Sequence, residues 1–402
     1  MPSGETTSER SVSHEEAIRS VRLFMKDLRG PWADANALPP ASGYFHVPYR
    51  FEGQAVDLPL GWIGTRGCSW TRTGGCTMCD YGGYSQTASP DDVALQVRRL
   101  FEAWNHPHVV SLSALGSVLD PAEVPPAQQE AFFRTLGEMP GLRHVGIECR
   151  PEYVHPEVLQ RVTRWLGPVG LDVGMGLESI NETVRNVLLN KGLEMEAFER
   201  AVVHLREWRV KIVPHVFFKP PFMSEWDSIL DAERTIRFCT ELGPKDTILM
   251  LSNIKANTLT WWLWKRGEYR VPWLWSVLEL VHRLEDEHVE RLMIYGFQCG
   301  MPMLDMARNC EVCTPGIRQA IREFNYTGER RVLERARDQG CGCRKEWEGA
   351  LERAEDVETR ILGFVRSRWS TWSPEPQFSN GPKLQRQLAF RLEERSLTIP
   401  ST

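Results

Sequence analysis

"GTRGCSWTRTGGCTMCDYGG", residues 64–83, sets Cys68, Cys76 and Cys79 in a glycine-rich loop, with the apolar Met78 just before the last thiol. The loop follows the apolar run "LGWIG" and precedes "DDVALQVRRLFEAW" after Pro90, whose apolar spacing and acidic first turn predict a helix. A loop leading from a strand into a helix is where α/β barrels carry their chemistry. Three thiolates on a four-iron cluster leave one iron without a protein ligand, open to a small molecule. The competing readings are a zinc ribbon short of one ligand and three buried thiols.

Outward from that loop, short apolar runs alternate with longer helical patterns, the signature of βα units around a parallel sheet. Strands are expected near Gly61 to Thr65, Val109 to Ser113, His144 to Ile147, Leu171 to Met175, Lys211 to Phe217 and Thr247 to Leu251. Six strands fall short of a closed eight-stranded barrel, so the fold class expected is α/β, an open, partial (β/α)6 TIM-type barrel. Before it, a polar lead, the helical stretch "HEEAIRSVRLFMKDLRG" and the loop "ALPPASG" suggest a brace or lid. The expected organisation is a helical brace over 1–55, the barrel over 56–300, a four-cysteine subdomain over 301–372 and a tail over 373–402.

The second cysteine group, Cys310, Cys313, Cys341 and Cys343, reads C-x2-C, a gap of 27 residues, then C-x-C. Four soft ligands close a tetrahedral zinc site or hold an auxiliary iron-sulfur cluster, and either metal would staple a small C-terminal subdomain of helical pattern. Ten cysteines in a chain without an apolar leader are better read as ligands than as a disulfide framework. Cys149 and Cys239 sit in apolar surroundings and are expected in the core, and Cys299 in "GFQCGMP" is a candidate to approach either metal.

Composition excludes other classes. A charged fraction of 25% against 42% hydrophobic residues is that of an ordinary soluble domain. No apolar run reaches the roughly 20 residues of a membrane span, and "MPSGETTSERSVSHEE" carries no signal-peptide core, so a cytoplasmic protein is expected. A net charge of −5 gives no basic footprint for binding a phosphate backbone. The stretch "TLTWWLWKRGEYRVPWLWS" contains Trp261, Trp262, Trp264, Trp273 and Trp275, which either stack on a base or pack a core beneath a long loop.

The chain resembles the radical S-adenosylmethionine (SAM) superfamily, whose three-cysteine loop follows the first strand. The spacing of seven and two residues, where three and two is usual, is similar to the elongator-catalytic-subunit-like branch, and within it to the archaeosine synthase radical SAM subunits. "GSVLDPAEVP" (116–125), "ECRPEYV" (148–154), "GMGLESINETVRNVLLNKG" (174–192), "FKPPFMSEWDSILDA" (218–232) and "YRVPWLWSVLELV" (269–281) extend the resemblance over about residues 45 to 350.

By that resemblance Cys68, Cys76 and Cys79 hold a 4Fe-4S cluster, and SAM chelates its open iron. Reductive cleavage then yields a 5′-deoxyadenosyl radical that abstracts hydrogen from the substrate. The resemblance also implies cofactor contacts from Met78, from Gly116 and Ser117, from Glu148 and Arg150, and from Glu178. Lys219 and Asn253, closing the fifth and sixth strands, are expected near the substrate. The implied partners are an electron donor such as flavodoxin or ferredoxin and a partner subunit. The activity expected is hydrogen abstraction from a nucleoside-like or specialised-metabolite substrate, leading to C–N cleavage or rearrangement. The alternatives are sulfur insertion using an auxiliary cluster, archaeosine-type base modification in tRNA with a partner, and a metal-stabilised binding module without catalysis. Acidic charge favours a small nucleoside-like substrate over tRNA.

Overall fold

The alternating apolar runs form a mostly parallel sheet wrapped by helices in a computed structural model that describes residues 14–29, 45–84, 88–297, 303–352, 357, 360 and 361. The sheet contains β1 (Phe45–Phe51), β2 (Gln54–Trp62), β3 (Val109–Ser113), β4 (His144–Glu148), β5 (Gly170–Glu178), β6 (Lys211–Phe218), β7 (Thr247–Leu251) and β9 (Leu292–Tyr295), in that spatial order. β8 (Asn253–Ile254) and β10 (Asp305–Met306) form a separate antiparallel ribbon. α1 (His14–Arg29) precedes the sheet. The crossovers are α2 (Pro90–Ala103), α3 (Pro126–Gly137), α4 (Pro156–Leu166), α5 (Met195–Glu207) and α6 (Glu225–Glu241). α7 (Leu259–Lys265), α8 (Leu274–Arg283) and α9 (Asp286–Val289) separate β8 from β9, and α10 (Thr314–Thr327), α11 (Arg330–Asp338) and α12 (Arg344–Glu352) follow β10.

All six expected strands are present in a parallel array, and two more extend the sheet to eight. β1 pairs antiparallel with β2 at one edge, and β9 pairs parallel with β7 at the other. Both are short or carry proline, which weakens their sequence signal. Pro48 lies on the edge strand β1, and Pro59 of β2 lies one residue before the pairing with β3 begins at Leu60, so neither removes a ladder bond from the sheet centre. The first expected strand ends earlier than anticipated: β2 stops at Trp62, and Ile63 adds one further bond to the Ser113 carbonyl (3.0 Å) before the chain turns into the cysteine loop.

The sheet curls into an almost complete barrel. Across the seam between β1 and β9 the bonds come from side chains: the Tyr295 hydroxyl donates to the Pro48 carbonyl (2.9 Å), and the Arg50 guanidinium donates to the carbonyls of Leu292 and Phe324 (3.1 Å each). The main core lies between sheet and helices, with Leu112, Ile147, Val173 and Val216 packed against Val97, Phe132, Phe133, Leu159, Phe198 and Ile236. α2 and α6 each begin with a capping box, Ser89 with Asp92 and Ser224 with Asp227, a device worth about 1 kcal/mol at such a position. Among the described residues no helix is long and apolar enough to cross a membrane.

Candidate functional site

Several strands end in backbone that bends sharply away from the barrel axis. Gly67 after β2, Leu115 after β3, Glu178 ending β5 and Lys219 after β6 all have positive φ, an unfavourable conformation for the three with side chains and one concentrated at functional rims. These bends surround the mouth of a cavity of about 340 Å³ inside the barrel, a volume in the range of small-molecule sites. Cys68, Cys76, Met78 and Cys79 line it, as do Gly116, Ser117, Glu148, Arg150, Glu178 and Asn253.

The cysteine loop is held on every side. Ser69 N–H donates to Glu123 (2.7 Å), and the Ser69 hydroxyl donates to Asp120 (2.8 Å). The Thr77 N–H and hydroxyl donate to the carbonyls of Leu189 and Leu188, and Asn190 donates to the Gly75 carbonyl (2.7 Å). Trp70, in the long spacer between the first two cysteines, donates its indole N–H to the Asn190 carbonyl (2.8 Å) and has the guanidinium groups of Arg22 and Arg150 about its ring. Gly192 makes room for it, since a Cβ there would lie 2.3 Å from the indole. Burial pushes the Cys68 thiol well above its ordinary range and the Cys79 thiol up to about 12, with Lys255 opposing the shift at Cys79. Such thiols need positive charge to ionise, and cations stand close: Lys255, paired with Asp80 at 3.0 Å, together with Arg150 and Lys191.

The expected contacts separate. Glu148 accepts from the Ser113 hydroxyl (2.6 Å) and faces the cavity. Arg150 does not pair with it. Its guanidinium donates to Glu152 and to the carbonyls of Lys191 (2.9 Å) and Gly192 (3.1 Å), while its N–H donates to the Ser117 hydroxyl (3.0 Å). Glu178 is bonded to Lys191 at 2.7 Å, and Gly176 leaves space for that pair, because a Cβ there would lie 2.3 Å from both. Lys219 is turned out of the cavity: it is buried against Glu225, whose carboxylate also accepts from Ser276. The tryptophans also pack elsewhere. Trp262, Trp273 and Trp275 are core residues, and none of the five lines the cavity. Cys149 and Cys239 are buried in the core as expected, and Cys299 lies outside the described residues.

Four functional candidates were not singled out in the sequence. Glu123 sits inside "GSVLDPAEVP" and is fully buried behind the Gly116–Ser117 turn, where a Cβ on Gly116 would lie 2.0 Å from its carboxylate. Lys191 lies in "LLNKG", and Lys255 follows the sixth expected strand. His215, mid-strand on β6, faces the cavity between Glu148 and Glu178, and burial lowers its pKa. Nothing in the spacing marks these residues, because topology alone brings them together.

Cys310, Cys313, Cys341 and Cys343 converge as expected, with all four sulfurs within 4.8 Å of one another. The separations Cys310–Cys313 (3.6 Å), Cys310–Cys341 (3.5 Å) and Cys313–Cys343 (3.6 Å) are close to the about 3.8 Å between sulfurs bound tetrahedrally to one zinc at about 2.3 Å. Thiolates on separate irons of a four-iron cluster stand wider apart. The Cys68 triad, by contrast, does not form a group as tight as 4.8 Å. The Cys313 backbone N–H draws the Cys310 thiol down to about 6, and the Trp275 indole donates to the Cys343 sulfur (3.3 Å). Both sets of residues therefore fit a metal group, the tail a single ion and the triad a larger one.

No protein-family model matches the chain. It is 31% identical over 291 residues to archaeosine synthase subunit beta of Methanosarcina acetivorans, covering 71% of this chain and 82% of that protein. It is 28% identical over 299 residues to the protein of the same name from Thermococcus kodakarensis, covering 72% and 90%. Among solved structures, Methanocaldococcus infernus Elp3 gives a TM-score of 0.42 at 15% identity over 65% of this chain and 59% of the other. Methylornithine synthase gives 0.42 at 14% identity over 67% and 69%.

Proposed function

Because this chain belongs to the archaeosine synthase subunit beta family, we propose that it is the radical SAM component of a nucleoside-modifying enzyme that works with a partner subunit. The observation that carries the reading is the opening of three cysteine sulfurs, from one loop, onto a barrel cavity whose rim holds Glu148, Arg150, Glu178 and Lys191. When bound, the cluster and SAM supply one-electron cleavage of the sulfonium and a 5′-deoxyadenosyl radical.

The chain's own residues do the rest. Cys68, Cys76 and Cys79 bind three irons, and the cations around them favour the thiolate forms. Gly116 leaves room for the Glu123 carboxylate, which accepts from the Ser117 N–H and fixes the turn facing the SAM site, and Met78 lines the cavity beside the cysteines. Glu148 has no partner of opposite charge among the described residues, so its carboxylate is available to the SAM ribose hydroxyls. Arg150, fixed by Glu152 and two carbonyls, presents positive charge to the methionyl carboxylate. The Glu178–Lys191 pair holds the far wall, and His215 and Asn253 face the space left for substrate. The apolar barrel wall around them excludes water from the reacting groups.

The substrate proposed is a nucleoside-like base, the class named by the relatives' product, with C–N cleavage or rearrangement as the reaction. The four-cysteine site takes one zinc and ties the loop before α10 to the α11–α12 turn, which speaks against sulfur insertion from an auxiliary cluster. The test is anaerobic reconstitution with SAM and a reductant. The wild type should release 5′-deoxyadenosine, and replacing the three cysteines by alanine should abolish it. Undiminished release from the triple variant would refute the proposal.

A further inference from the structure

The seven-residue spacer between Cys68 and Cys76 fits against a helix that lies outside the barrel. α1 buries Val21, Phe24, Met25 and Leu28 against Val184, Val187 and Leu188, and Phe24 meets Trp262 edge to face at 5.2 Å. That docking delivers Arg29, at the last turn of α1, into the cysteine loop. Its guanidinium is buried and donates to three loop carbonyls, those of Gly74, Cys76 (2.6 Å) and Cys79.

The loop is shaped to receive it. A Cβ on Gly75 would lie 2.1 Å from the Arg29 Nη1, and one on Gly74 would lie 2.6 Å from the Arg22 carbonyl; both glycines have positive φ. The two glycines and Trp70 all belong to the spacer, and a spacer of three residues would leave no length for them. Cys79, Cys76 and Cys68 are the foremost groups of potential negative charge acting on the guanidinium.

We propose that Arg29 is a positioning residue of the cluster loop, and that α1 and the long spacer form one clamp that sets the loop's shape and the field at its metal. The inference rests on the reading of Cys68, Cys76 and Cys79 as cluster ligands. One guanidinium satisfies three carbonyls, so α1 grips the loop before, at and after the second ligand, in addition to the bonds that Thr77 makes to Leu188 and Leu189. Its fixed positive charge, close to three thiolates, favours the reduced form of the cluster, which carries one more negative charge.

The test uses the full chain, reconstituted anaerobically, in the wild type and in the variants Arg29→Met, Arg29→Lys and Gly75→Ala. The readouts are the midpoint potential from an EPR-monitored titration and the rate of iron loss to bathophenanthroline. Arg29→Met should lower the reduced-to-oxidised ratio at the wild-type midpoint at least tenfold, about 59 mV for one electron. It should also lose iron at least tenfold faster, as expected when charge-assisted bonds are removed. Arg29→Lys keeps the charge without the three-way fork, so it should hold the potential within twofold of wild type in that ratio and still lose iron faster. Gly75→Ala, which displaces the guanidinium without removing it, should also lose iron faster, and with Arg29→Lys it decides the matter if Arg29→Met does not fold. Variants that match the iron-loaded wild type in both readouts overturn the clamp alone. A wild type that takes up no iron overturns the cluster reading and the clamp with it.

Discussion

Replacing Asp231 by asparagine should stabilise the protein, and by an amount that grows with pH. Asp231 lies on α6 and accepts from the Ser179 hydroxyl (2.7 Å), the residue that follows Glu178 at the barrel rim. It is only 8% exposed, and burial, opposed by the Ser179 bond and by Arg234 and Arg185, raises its pKa from 3.8 to about 6. The folded protein therefore keeps a proton on this group where the unfolded chain has released it. Stability falls as pH rises from about 4 to about 6 and then levels off. At about 1.36 kcal/mol per pH unit, the cost of the ionised group is about 1.6 kcal/mol at pH 5 and about 3 kcal/mol at pH 7. Asparagine keeps the acceptor for Ser179 and never ionises. Denaturant unfolding of the zinc-loaded Asp231→Asn variant and wild type at pH 5, 6 and 7, with m unchanged, should show a difference that widens by more than 1 kcal/mol, by roughly the amount above. A difference that stays flat across that range, or a variant less stable than wild type at pH 7, would refute the reasoning.

Glu148→Ala and Arg150→Ala should each weaken SAM affinity, measured by equilibrium binding, while the iron content stays at the wild-type level; unchanged affinity in both would reduce the pair to rim packing. Cys341→Ser should lose zinc and lower thermal stability without touching the iron of the first site. The loss should be well below the about 10–16 kcal/mol of an isolated zinc module, because Ile317, Ile321, Phe324, Leu333 and Trp347 dock the C-terminal helices on the barrel core. A Cys341→Ser protein that retains one zinc per chain would contradict the assignment.

How far the fold could be read depended on the length of each signal. The expected strand from Val109 to Ser113 and the one from Thr247 to Leu251 coincide with β3 and β7, since each is a short apolar run closed by polar residues. β1 was hidden by Pro48, the part of β2 before Gly61 by Pro59, and β9 by having only four residues after the four-residue helix α9. Cysteine spacing located the triad loop and the four-cysteine group, because ligand sets on one loop or hairpin are local in sequence. The rest of the site is not local. Glu148 and Arg150, two residues apart, point to different partners, and Arg29 reaches the loop from 47 residues before Cys76. Lys219 ends its strand as expected, yet its positive φ and Glu225 carry it behind the barrel wall. The tryptophan run could be read as a stacking surface or as core packing, and α7 and α8 make it the packing that supports α1 and the four-cysteine site.

The most direct test of the account is elemental analysis of the anaerobically reconstituted wild type beside the Cys68→Ala, Cys76→Ala, Cys79→Ala triple variant. The account predicts about four irons and one zinc per chain in the wild type, and the same zinc with almost no iron in the variant. About eight irons and no zinc in the wild type, or iron undiminished in the variant, would contradict it.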